Sequence, residues 1–298
     1  MLKLSFGDRV MHVTIYILLA LLAFTTFYPF WNAVVISLNS GMDTAQGGIT
    51  FWPRSFTFEN YGVVLNDSRL VNSFFISILR TVVGTFASIM VTAIFAYGIS
   101  KKELMGRKFY MVLCIITMYF SGGLIPSYLL IRELGLMNSF WVFIIPSLVS
   151  VWNMIIFRTF FLGLPAGLEE SAKMDGCGSW GIFFRIVLPL SGPVVATLAL
   201  FTAVYHWNDW FLPSIYITNE QLLPIQTMLK QILNSNIMSE QMSQLDSAAQ
   251  GQMAKMRSVT TKSLSMATMV VATLPIIMVY PFVQKYFVKG VLVGSLKE

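Results

Sequence analysis

The sequence predicts an all-α, polytopic membrane protein with six transmembrane helices. Three observations carry that expectation. Charged residues make up only 11% of the 298 residues, against about 25% in a soluble globular chain. Mean hydropathy is +0.69. Apolar runs of the length needed to cross a hydrocarbon core, about 20 residues, recur six times. The net charge of +6 is scattered through short segments between these runs and forms no single patch. That distribution is read as membrane topology and not as nucleic-acid binding. The two cysteines, Cys114 and Cys177, leave no room for a disulfide framework.

The elements follow in order. Val10–Ser37 is the first span, retained because no small-residue cleavage site follows it. Residues 39–71 are polar and turn-rich. Within them Phe51-Trp52-Pro53 and Phe56-Thr57-Phe58 suit a membrane–water interface. Asn72–Ser100 is the second span, with Arg80, Gly84 and Gly98 inside it, followed by a short basic loop at 101–108. Phe109–Leu130 is the third span, broken at Ser121-Gly122-Gly123 and Pro126. Phe140–Leu162, containing Pro146, is the fourth. Ile186–Leu212 is the fifth and Lys262–Phe287 the sixth. The intervening outer segment holds an amphipathic helix at Leu222–Leu233, and a Ser-, Gln- and Met-rich stretch at 234–262 of no assigned role. The expected organisation is an N-terminal part at 1–71 and a five-helix core at 72–298.

Lys and Arg set the orientation. With the N-terminus inside, the inner segments hold Lys3, Arg9, Lys101, Lys102, Arg107, Lys108, Arg158, Lys173, Arg185, Lys285, Lys289 and Lys297. The longer outer segments hold Arg54, Arg69, Arg132, Lys230, Lys255, Arg257 and Lys262. Positive residues favour the cytoplasmic side, so both termini are expected in the cytoplasm.

The loop at 163–186 then lies in the cytoplasm. Leu164-Pro165-Ala166-Gly167 starts a short helix. Glu169 and Glu170 are expected in its first turn, where carboxylates favour the helix dipole, and Lys173 is spaced to pair with both. Gly176 ends the helix. Ser179 is placed to cap a second one that carries Trp180, Phe183 and Phe184 and stops at Leu188-Pro189.

These residues carry a resemblance. Glu170-Ser171-Ala172, then Asp175-Gly176, then Ile186-Val187-Leu188-Pro189 is similar to the EAA loop of permease subunits in ABC importers, with Ser171 in place of the first alanine. Asn72-Ser73, Trp207-Asn208-Asp209 and the six spans resemble the carbohydrate, maltose-type group. Gly47-Gly48-Ile49-Thr50-Phe51-Trp52-Pro53 resembles permeases for complex or acidic oligosaccharides such as pectin and alginate fragments. The resemblance implies a type I importer permease fold in a bacterial cell membrane. It implies that Glu169, Glu170, Ser171, Ala172, Asp175 and Gly176 couple to an ATP-binding subunit. The implied partners are a second, similar permease, two ATP-binding subunits, an extracytoplasmic solute-binding protein and membrane lipid. ATP and magnesium would reside on the ATP-binding subunits, and no cofactor on this chain.

The chain's own chemistry agrees with a non-catalytic role. His12 and His206 sit far apart in sequence, no Cys/His spacing suits zinc, and no phosphate-cradling Gly-x-x-x-x-Gly-Lys-Ser/Thr loop occurs. Polar groups inside spans are expensive and mark candidate substrate contacts. Arg80 is the costliest. It either snorkels to the interface or faces a water-filled path and attracts an anionic substrate. Trp152, Asn153, Trp207, Asn208 and Asp209 complete the set, either as interfacial anchors and rim charges or as sugar contacts. The competing class is a secondary transporter of a small polar solute. That class favours inverted repeats and a carboxylate deep in a span, and neither is visible.

Overall fold

The computed structural model describes residues 6–245 and 259–295. Among the described residues the regular elements are all helical, with one isolated bridge between Asn39 and Phe56. The chain divides into two compact units, Met1–Val71 with Leu229–Thr273, and Asn72–Met228 with Leu274–Glu298.

In the first unit, α1 (Phe6–Ser37) is a continuous helix that starts before the expected Val10. The most apolar stretch of α1 has none of its residues buried within the chain. Asn39 then organises a tight corner. Its amide donates to Asp43 Oδ2 at 2.9 Å and Thr44 Oγ1 at 3.1 Å, and its carbonyl accepts from Ser55 N at 2.9 Å. Asp43 lies in α2 (Gly41–Gln46). The Asn39 hydrogen bond, then Arg54, hold the Asp43 carboxyl below its ordinary range. Gly47 and Gly48 follow at φ 77° and 73°, a region only glycine enters cheaply. The aromatic stretch lies back along α1: Trp31 Nε1 donates to Phe51 O at 3.0 Å and Asn32 Nδ2 to Thr50 O at 3.0 Å. In α3 (Glu59–Asn66), Asn60 is fully buried and fully used. It donates to Ser37 O and Asn39 O and accepts from Ser263 Oγ, so its burial carries no unpaired polar group.

In the second unit, α4 (Ser68–Ser100) begins four residues before the expected Asn72. Asp67 caps it by accepting from Arg69 N at 2.9 Å. The third span is a bent pair, α5 (Arg107–Tyr119) and α6 (Leu124–Glu133), turning by 113° at the expected Gly122-Gly123 break, where Gly123 has φ 85°. The fourth is also bent. Two 3-10 turns, Phe140–Phe143 and Ile145–Ser147, lead at 49° into α7 (Val151–Leu162), which Ser150 caps through Asn153 N.

After α8 (Ala166–Met174), the segment Ser179–Leu190 comprises α9 (Ser179–Ile182), a π-turn at Phe183–Val187 and α10 (Leu188–Leu190). The Ser179 side chain makes no cap, because Gly178 holds that position. An 82° bend leads into α11 (Gly192–Asn208). The fifth span is therefore bent within the expected Ile186–Leu212, and its straight part α11 ends at Asn208, short of Leu212. Pro193, which lacks an N–H, favours a helix start there, and Asp209 leaves helical geometry at ψ 106°. After α12 (Phe211–Tyr216), α13 (Ile225–Leu245) starts after Pro224 and not at Leu222. The sixth span lies in α14 (Thr261–Ser295). Much of the outer stretch 234–262, residues 246–258, lies outside the described residues. Among the described residues, three unbroken apolar helices and three bent pairs give six spans when each pair counts once.

The core of the second unit joins Ile89, Ala93 and Tyr97 of α4, Met154 and Phe157 of α7, Phe183 of the π-turn and Leu198 of α11. Ala93 and Ala96 are fully buried, and small residues of this kind let helix backbones approach closely.

Candidate functional site

Three places in the second unit collect the functional candidates. The first is α8 and its exit. Because α8 starts at Ala166, Glu169 falls in the first turn and Glu170 in the second, not both in the first as expected. Glu169 pairs with Lys101 at the end of α4, and both side chains are 25% exposed. The Lys101 ammonium also lies 3.8 Å above the Tyr97 ring, a cation–π contact. This longer-range pairing displaces the expected Glu169–Lys173 pair, and Lys173 makes no ion pair among the described residues. Ala172 is buried in the core.

The helix ends in a Schellman motif: Cys177 N donates to Ala172 O at 2.9 Å and Gly176 N to Lys173 O at 3.0 Å. Gly176 takes φ 77°, as its position requires. Glu170, Ser171 and Asp175 are exposed. Thus Glu169 and Ala172 fasten the segment to its own chain, while Glu170, Ser171 and Asp175 face outward. Beside them Trp180 and Phe184 stack at 6.1 Å and stay exposed.

The second place is a buried ion pair. Arg80 of α4 is 0% exposed, and its partner Asp209, at the end of α11, has a side chain 9% exposed. One guanidinium nitrogen pairs with Asp209 Oδ2 and another donates to Asp209 O at 2.9 Å. The guanidinium carbon lies 4.8 Å from the centre of the Phe143 ring. Asp209 Oδ1 also accepts from Phe211 N and Leu212 N, each at 3.1 Å, capping α12. In this conformation Arg80 neither snorkels nor faces open space, and Asp209 is not a solvated rim charge. Trp207 is buried edge-on to Phe74 at 5.6 Å. Asn208 and Trp152 are exposed.

The third place was only partly visible in the sequence. A cavity of about 330 Å³ opens between α4, the Pro146–Ser150 break and α11, with Ser88, Ser150, Asn153, Thr202, Tyr205 and His206 on its wall. Asn153 is 8% exposed, and its amide donates to Thr202 Oγ1 at 3.2 Å. His206 is 1% exposed, and neither ring nitrogen makes a well-formed hydrogen bond. Its ring lies so close to Gly84 that a Cβ there would come within 2.7 Å of Cε1 and Nε2. A glycine and a histidine inside two apolar runs were the available signal, but only the packed helices show that they meet.

Comparison with known proteins adds four findings. Residues 3–293 match the family described as "Binding-protein-dependent transport system inner membrane component". The chain is 38% identical over 293 residues to the polygalacturonan/rhamnogalacturonan transport system permease protein YtcP of Bacillus subtilis (strain 168), covering 97% of this chain and 99% of that one. It is 40% identical over 272 residues to Protein LplC of the same organism, covering 91% and 90%. Among solved structures, it is similar to a chain of a bacterial ABC transporter involved in the import of the acidic polysaccharide alginate. The TM-score is 0.86 and the identity 30%, over 96% of this chain and 100% of that one.

Proposed function

Because the chain belongs to the family of binding-protein-dependent transport system inner membrane components, we propose that it is the permease subunit through which oligosaccharides, acidic ones included, enter a bacterial cell. It is a non-catalytic translocation subunit of an ABC importer. The substrate class rests on its similarity to the polygalacturonan/rhamnogalacturonan permease and to the alginate importer chain. Family membership sets aside the secondary-transporter reading.

The observation that carries the mechanism is the split use of α8. Glu169 and Ala172 anchor it inward, and Glu170, Ser171 and Asp175 remain available to an ATP-binding subunit that holds ATP and magnesium. Movement imposed on this helix reaches the spans through Lys101 and the Phe183 core contacts. ATP binding then favours one arrangement of the spans by its differential contact with the two states. The bare surface of α1 suits contact with lipid and with a second permease. In this reading both termini and α8 lie in the cytoplasm, as the distribution of Lys and Arg favours, and the solute-binding protein delivers from outside.

The test is genetic and biochemical. Deleting the gene should abolish uptake of labelled trigalacturonate or arabinotriose, and plasmid-borne copy should restore it. If uptake of both persists while uptake of an unrelated solute is lost, the oligosaccharide reading is overturned.

A further inference from the structure

We propose that the cavity between α4, the Pro146–Ser150 break and α11 is a subsite for an uncharged, hydroxyl-rich saccharide ring; the proposal rests on the oligosaccharide reading above. Ser88 lies about 18 Å along α4 from Ser100 at 1.5 Å per residue. That is near the middle of a hydrocarbon core about 30 Å thick. At such depth an unpaired polar group costs free energy, and irregular backbone is tolerated only against protein or a water-filled space. Here both features meet on one void, since the chain departs from α-helix between Ser147 and Val151 at the cavity wall.

The lining defines the ligand. Hydroxyls from Ser88, Ser150, Thr202 and Tyr205, the Asn153 amide and the His206 imidazole can all donate or accept hydrogen bonds. Among the described residues no charged side chain lines the cavity. Phe201 and Tyr205 add aromatic faces for the C–H side of a sugar. The volume of about 330 Å³ sits at the small end of the range for small-molecule sites, about 300–1,000 Å³, which suits one ring of an oligomer. His206 is nearly fully buried, with Cε1 and Nε2 packed on Gly84 and no well-formed hydrogen bond to either ring nitrogen. Arg80, the nearby cation in sequence terms, is neutralised by Asp209 and is absent from the wall. The cavity therefore suits a neutral ring, and a uronate ring, which carries its own carboxylate, is held elsewhere in the assembly.

The experiment uses the complete importer with its binding protein, reconstituted in proteoliposomes, with Cys114 and Cys177 of this chain replaced by serine. Thr202→Cys places a thiol on the cavity wall, and Asn153→Cys is the second variant should the first assemble poorly. A small, water-soluble methanethiosulfonate reagent is the probe, with trigalacturonate and arabinotriose as protecting saccharides. The thiol should react, the reaction should block uptake, and arabinotriose, whose rings are uncharged, should slow it about tenfold at ten times its half-saturating concentration, whereas trigalacturonate should not. If the importer carries either saccharide but labelling is absent in both variants, or arabinotriose protects neither, the subsite is overturned and the oligosaccharide reading stands. If the unsubstituted importer carries neither saccharide, the oligosaccharide reading falls and takes this proposal with it.

Discussion

Replacing one partner of the Arg80–Asp209 pair should destabilise the protein far more than replacing both. Arg80 is 0% exposed, so Asp209→Ala strands a buried guanidinium. Breaking a buried pair from one side typically costs about 3–5 kcal/mol. The same substitution removes the acceptor for Phe211 N and Leu212 N, a cap worth about 1 kcal/mol. Asp209→Ala should therefore cost about 4–6 kcal/mol. Asp209→Asn keeps an oxygen for the cap and should be milder by about 1 kcal/mol. Arg80→Met combined with Asp209→Asn removes both charges and leaves an apolar side chain beside Phe143. Such replacements are often close to neutral, so the double variant should recover to within about 2 kcal/mol of the parent. The assay is a double-mutant cycle on purified protein, using unfolding in mixed micelles, with membrane level and uptake measured alongside. A coupling below about 0.5 kcal/mol, the limit of simple additivity, would refute the buried pair. Uptake of trigalacturonate by the stable double variant tests a second point. Retained uptake is expected if Arg80 is structural, and selective loss of acidic substrates would return it to the substrate path.

Gly84→Ala drives a Cβ within 2.7 Å of the His206 ring and should cost about 1–3 kcal/mol as overpacking; His206→Ala in the same chain should relieve most of that, read by thermal unfolding. Glu170→Lys leaves the spans untouched and should weaken retention of the ATP-binding subunits by about ten- to several hundred-fold, measured by co-purification. Full retention would remove Glu170 from the proposed interface. Lys101→Met should lower stability by less than about 1 kcal/mol, because the pair with Glu169 is partly exposed. It should nevertheless raise the ATP hydrolysed per saccharide imported, and the charge swap Lys101→Glu with Glu169→Lys should restore the ratio.

The spans were legible because membrane crossing is written in local composition. The break at Gly122-Gly123 was legible because glycine acts on its own backbone, whereas the fourth span was expected unbroken although it holds Pro146. The turn at Gly176 was legible for the same reason, since a left-handed residue after a short helix has a local signature. The fifth span shows where local reading stops. Residues 186–190 are as apolar as α11, so hydropathy joins them, but the chain bends by 82° between them. Glu169 shows a different limit. Helical spacing nominated Lys173, four residues away, and Lys101 took the carboxylate across 68 positions. Arg80 and Asp209 are 129 positions apart. An arginine in a span announced its cost in the sequence, but only packing reveals that an aspartate at the end of another helix meets it.

These two long-range pairs suit α4 to a particular mechanical role in the proposed function. Arg80 and Lys101 are about 32 Å apart along the helix axis at 1.5 Å per residue, close to the thickness of the hydrocarbon core, about 30 Å. At one end the helix is tied to the close of α11 by a buried pair that also caps α12. At the other, the residue that follows it is tied to α8 by a half-wet pair backed by Tyr97. Between them the helix is unbroken, unlike the third, fourth and fifth spans, which all bend. A straight helix transmits displacement along its axis, whereas a bent pair absorbs it at the break. The permanence of the two ties differs in the same sense. The buried pair is costly to open and suits a fixed joint, while the partly exposed one is cheaper to open and suits a contact remade in each transport cycle. Loss of the first should then appear as loss of folded protein, and loss of the second as intact protein whose ATP consumption and transport have come apart.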